Sequence, residues 1–150
     1  MERALSLNPN SANAWRTRGW ILVWLEQPEE AAESFGRAMR LSPLDPELYA
    51  LQYGMARCHF VMGRLDEALQ WADKALLGQS RAVNVTVFKV AVCAHLGLTD
   101  EVRDCLQRLQ EVSPGFSVAT FAKQVIPRGV SARIAALWAD GLRKAGVPDE

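Results

Sequence analysis

Residues 15–43 read WRTRGWILVWLEQPEEAAESFGRAMRLSP, and their spacing decides the fold. Trp15, Gly19 and Leu22 recur at the i, i+4, i+7 interval of a buried stripe, which predicts a helix over about 11–25 capped by Asn10 or Ser11. Pro28 suits the first turn of a second helix, and Glu29 and Glu30 complement the positive end of its dipole. Ala31, Phe35 and Ala38 then repeat the same interval down to about Leu41. Small side chains on both stripes, with one aromatic to fill the gap, predict two helices packed closely as a hairpin. The pattern recurs along the chain. Ala31, Phe35, Ala38 and Pro43 return 37 residues on as Ala68, Ala72, Ala75 and Ser80, and 34 further on as Val102, Leu106, Leu109 and Pro114. Gly63 and Gly97 keep the 34-residue step, and counting back by 34 from Ala38 and Pro43 lands on Ala4 and Pro9. A period in this range marks stacked helical repeats.

Working outward, residues 1–9 read as the end of a truncated repeat, followed by repeats over 11–44, 45–80 and 81–114 in a single domain of 1–150. In the second repeat Asp45-Pro46-Glu47 supplies a cap, a proline and an acid ahead of a helix running to about Met62, and Gly63 suits a left-handed helix end. In the third, Val83, Val85 and Val87 alternate with polar residues as a strand would. Gly97 and Pro114 keep the repeat register, however, so a helix carrying Val83, Val87, Val90 and Ala94 is expected instead. Beyond Pro114 the pattern weakens to a short helix over 117–125, a break at Pro127 and Gly129, and an amphipathic helix over 131–145. Its apolar face of Ile134, Leu137, Trp138 and Leu142 is expected to cap the open end of the stack.

Composition narrows the function. The 17 basic and 17 acidic residues cancel and form no run of one sign, so the field that attracts nucleic acid or an anionic membrane is not expected. Cys58, Cys93 and Cys105 are odd in number and form no CxxC pair, which suits buried thiols in a reducing, cytoplasmic compartment. The longest apolar run, Trp20 to Leu25, falls far below the roughly 20 residues that span a bilayer.

These residues resemble the tetratricopeptide repeat (TPR) family, whose motif places Trp and Gly in the first helix and Ala, Phe, Ala and Pro in the second. Trp15, Gly19, Ala31, Phe35, Ala38 and Pro43 all stand at the family's spacing. The second unit has Ala56 at the family's glycine place, keeps Gly63, Ala68 and Ala75, and has Ala72 for the aromatic and Ser80 for the proline, and the third keeps only Gly97 and Pro114 strictly. The resemblance implies an all-α fold, a TPR α-α superhelix of about three helix-turn-helix repeats with a C-terminal capping helix, acting as a scaffold for proteins or peptides without chemistry of its own. RAMRLSPLDP (37–46), GRLDEALQW (63–71) and GLRKAGVP (141–148) further resemble the C-terminal TPR regions of bacterial class III adenylate or guanylate cyclases, and similar tails follow winged-helix regulators. That resemblance implies a regulatory region beside a catalytic or DNA-binding domain and assigns no catalytic residue here.

In such a stack the first helix of each hairpin lines the concave groove. Asn13, Arg16, Trp20 and Trp24 share the face of the first helix turned from its stripe; Tyr53, Arg57 and Phe60 match them in the second repeat, and Asn84, Val87, Ala91 and His95 in the third. Aromatics and arginines favour binding hot spots. An extended or helical peptide with apolar anchors is expected, hydrogen-bonded by Asn13 and Asn84 with an acidic contact at Arg16 or Arg57. The competing reading packs Trp20 and Trp24 into the protein itself, as large aromatics often are. Self-association through the N-terminal face is a second functional reading. Cys58 and His59 are adjacent and diverge around a helix, so neither a metal site, a cofactor site nor a thiol nucleophile is expected.

Overall fold

A computed structural model describes residue 6, residues 8–125 and residues 128–150. The described residues are helical with no strand, and they divide into two compact units, Met1–Gly78 and Gln79–Glu150.

The first unit holds α1 (Ala12–Trp24), α2 (Pro28–Leu41), α3 (Leu48–Val61) and α4 (Leu65–Gly78). Ser11 begins α1, its hydroxyl accepting the Ala14 amide at 3.2 Å, and Pro28 occupies the first turn of α2. Asp45 does not cap α3: its carboxylate accepts the Glu47 amide at 2.8 Å and closes a turn just ahead of the helix. α1 pairs with α2 and α3 with α4, and α3 also lies on α2, so each of these hairpins buries its small-residue stripe. Leu22, Val23, Ala31, Phe35, Ala38, Leu51 and Cys58 form the core. Phe35 sits in a slot with Gly19 of α1 on one side and Gly54 of α3 on the other. A Cβ at either glycine would come within 2.6 Å of a ring carbon. Arg18 ties α1 to α2 at the edge, donating to Ser34 Oγ at 2.6 Å and pairing with Glu30 at 3.0 Å.

The turn between α1 and α2 carries strain. Glu26 has φ +53, while the residues in repeat register with it, Gly63 and Gly97, reach φ +75 and +72 without a Cβ. A non-glycine residue in this left-handed region costs about 1 kcal/mol. Glu26→Gly is therefore expected to raise the melting temperature by about 2–4 °C, and a calorimetric scan showing a lower one would place the dominant energy in the Glu26 side chain instead.

The second unit holds α5 (Val83–Leu96), α6 (Thr99–Val112), α7 (Val118–Val125) and α8 (Ala132–Lys144). α5 is helical despite its alternating valines because it is buried nearly all round: Val85, Thr86, Val87, Phe88, Val90, Ala91, Val92 and Cys93 are inaccessible. Thr86 spends its hydroxyl on the Ala82 carbonyl at 3.0 Å, the usual way a polar side chain is accommodated inside a helix. Ser131 opens α8 by accepting the Ile134 amide, and Gly129 turns with φ +79; Pro127, expected to share that break, lies outside the described residues. Ile134, Trp138 and Leu142 are buried as expected, but Leu137, expected on the same face, is 40% exposed at its margin. α8 packs against α5 and α7. In the first unit the next helix, α3, packs chiefly on the second helix of the preceding hairpin; α8 instead lies on the first.

Candidate functional site

The eleven residues expected to line a groove fall in both units. In the first, the geometry centres on Arg57. Its guanidinium stands 5.7 Å above the Trp20 ring and 5.9 Å from that of Tyr53, held by cation–π attraction, while the two rings lie 6.3 Å apart. Trp20 also meets Phe35 edge-on at 5.2 Å, so half of it belongs to the core and its indole cannot be removed without disturbing Phe35. Trp24, one turn on, is 51% exposed. The pair expected to act together is thus split, one residue packed and one free to meet solvent. Tyr53 and Phe60 are buried and offer a partner little surface. Arg16 pairs with Glu47 at 2.7 Å and donates to the exposed Asn13 at 2.9 Å, so its charge is already answered within the unit. Between the α1–α2 turn and α3, Val23, Glu26, Pro28, Arg57, Cys58 and Val61 line a shallow, largely apolar notch. Sequence reasoning passed over its Glu26 and Pro28 side because they belong to the turn rather than to a helix face.

In the second unit Asn84 is exposed at the start of α5, but the rest of that face is taken. His95 Nε2 lies 2.9 Å from the Leu137 carbonyl of α8. A carbonyl only accepts, so Nε2 carries the proton and donates. Ala91 touches α8 at Gly141, where an added Cβ would lie 2.7 Å from the Ala91 carbonyl oxygen and 2.9 Å from its Cβ. Ala91 and His95 therefore face a segment of this same chain.

Burial pushes the Cys58 thiol up to about 12, leaving it protonated and a poor nucleophile at neutral pH. Burial also pushes the His59 imidazole below its usual range, with Glu67, whose carboxylate is 3.2 Å from Nδ1, pulling the other way. Among the described residues no cluster of three or more His, Cys, Asp or Glu side chains is placed to hold a metal ion, and no helix is long and apolar enough to cross a membrane.

Residues 25–85 match the tetratricopeptide repeat family model. The U-box domain-containing protein 70 of Oryza sativa subsp. japonica is 32% identical over 76 residues, which is 51% of this chain and 9% of that protein, so the chain spans less than a tenth of that relative. Among solved structures, the crystal structure of MamA is similar with a TM-score of 0.70, over 96% of this chain and 81% of that one, at 16% identity. Residues 25–85 are thus similar to tetratricopeptide repeats, and the likeness to MamA gives the all-α fold of the chain.

Proposed function

We propose that the chain is a protein-interaction scaffold whose partner seats on the first unit, with Trp24 as its exposed anchor and Arg57 as its polar contact. The arrangement that carries this reading is Arg57, fixed over Trp20 and Tyr53 at the margin of an apolar notch, with a half-exposed tryptophan on the helix beside it. A guanidinium stacked on two rings loses little side-chain freedom when a carboxylate or carbonyl binds it, and an indole already partly desolvated gives up little water when an apolar side chain covers it. The ligand that fits is a short peptide segment bearing an apolar anchor next to an acceptor. Panning a displayed peptide library against the whole chain, then measuring the selected peptides on variants, tests the reading. Trp24→Ala is expected to weaken binding about tenfold or more, a hot-spot loss, with an unchanged melting curve. Equal affinity for wild type and variant would move the site elsewhere.

The three stretches at 37–46, 63–71 and 141–148 support a finer proposal, that the scaffold regulates a bacterial class III adenylate or guanylate cyclase or a winged-helix regulator. Sequencing the gene across both ends of this segment tests it, and a neighbouring domain of another class would overturn it. Self-association would bury the N-terminal face and the tryptophans against a second copy, and residues 1–5 and 7 at that end lie outside the described residues.

A further inference from the structure

The face of α5 that matches the partner-binding positions of α1 and α3 is covered, and its cover is built like a ligand. α8 and its C-cap present Ile134, Trp138, Gly141, Leu142 and Ala145, all buried, at the i, i+4, i+7, i+8, i+11 positions by which an amphipathic helix lies in a groove. Trp138 is the anchor: it meets Phe88 of α5 edge-on at 5.3 Å and lies 5.0 Å from Phe121 of α7. Gly141 is the crossing point, where the two backbones come so close that a Cβ would stand 2.8 Å from His95 Nε2 as well as against Ala91. His95 fixes the register by donating to the Leu137 carbonyl. The close approach depends on Ala91. The residues in repeat register with it are Trp20 and Arg57, whose bulk would hold a helix off at this distance.

What surrounds α8 ties it to its own end of the chain. The amides of Val118 and Ala119, which open α7, donate to the carbonyls of Pro148 and Asp149 at 2.9 Å each, and Arg143 pairs with Asp149 at 2.8 Å. α7, α8 and the terminal residues are thus laced together by backbone and ionic bonds, whereas α8 meets α5 by the Trp138–Phe88 ring contact, the glycine crossing and His95, which donates to the Leu137 carbonyl and has Nδ1 4.0 Å from the Asp140 carboxylate.

We propose that the α5 face is a binding site for an amphipathic helix, that α8 is its intramolecular occupant, and that a partner helix with tryptophan three residues before a glycine competes for it. The proposal rests on the preceding reading that first-helix faces seat partners, but concerns a different face. A tethered occupant acts at an effective concentration in the millimolar range, so it hides the site from all but a well-matched competitor.

The test uses the whole chain and a fluorescent synthetic peptide of residues 131–150. Gly141→Leu in the chain blocks the close crossing of its own α8 and leaves α5 unaltered. This variant is expected to bind the wild-type peptide at least about tenfold more tightly than the wild-type chain does, because the occupant no longer competes. A peptide carrying Gly141→Leu is expected not to bind, and adding His95→Ala to the chain variant is expected to weaken the gain. Hydrogen exchange on the same variant should show α8 amides exposed while α5 amides stay protected. Two results overturn the proposal: no gain in peptide binding with α5 still protected, or loss of α5 protection together with α8, which would make α8 an inseparable layer of the core. Neither result touches the Trp24 test, which reads the face of the first unit.

Discussion

Phe35→Ala is expected to lower the unfolding free energy by about 3–5 kcal/mol, the range for removing a buried aromatic side chain. The ring is fully buried, and its surroundings are not free to close over the gap: it is flanked by glycines on two helices and by the edge of Trp20. The slot also makes a sharper, non-additive prediction. Gly54→Ala alone forces a methyl within 2.6 Å of the ring and is expected to cost about 1–3 kcal/mol, the usual cost of overpacking, despite alanine's better helix propensity. In the Phe35→Ala background the same methyl enters empty space and, with the propensity gain of about 1 kcal/mol, is expected to be neutral or stabilising. Urea melts of the two single variants and the double give the coupling energy, and simple additivity would show that Gly54 is not there to admit Phe35.

One wall of that slot was legible in the sequence. Ala31, Phe35 and Ala38 lie on an amphipathic stripe and Gly19 follows from the helical spacing of Trp15 and Leu22, but Gly54, the other wall, gave no such sign. The same signal is silent for α5: a helix buried on nearly every side carries no contrast between faces, and its alternating valines mimic a strand until the spacing of Gly97 and Pro114 is counted. Glu26 was within reach by the same counting, since Gly63 and Gly97 step back onto it, but glutamate gives no local sign of a left-handed backbone. The candidate site was only partly legible. Helical spacing groups Trp20 and Trp24 on one side of α1, yet cannot tell that Phe35 reaches Trp20 while Trp24 stays exposed, because that depends on the crossing of a second helix. The stacking of Arg57 on Trp20 joins residues from separate hairpins, and the meeting of Ala91 with Gly141 joins residues 50 apart. Neither leaves a periodicity to read.

Trp138→Ala is the second large effect, and how it is distributed matters more than its size. Deleting an indole packed on Phe88 and Phe121 is expected to remove about 3–5 kcal/mol of packing where it contributes. If α8 were an ordinary core layer, that whole loss would appear in the global unfolding of its unit, and α5, α6 and α8 amides would exchange faster together. If α8 is an occupant of the α5 face, the loss appears in its docking step, so the α8 amides and the bonds from Val118 and Ala119 to the terminal residues open first. The α5–α6 hairpin has its own contacts, including Arg108 of α6 donating to the Ser80 carbonyl at 2.9 Å, and keeps its protection. Native-state hydrogen exchange on Trp138→Ala is expected to show this second pattern, with α8 protection falling by about two to three orders of magnitude, which corresponds to 3–4 kcal/mol of docking energy, and α5 changing far less. Parallel losses across all three helices would assign Trp138 to a single cooperative core. The expected split follows from where α8 is attached: its ring contacts end on one helix of the hairpin, so their removal leaves the α5–α6 packing in place.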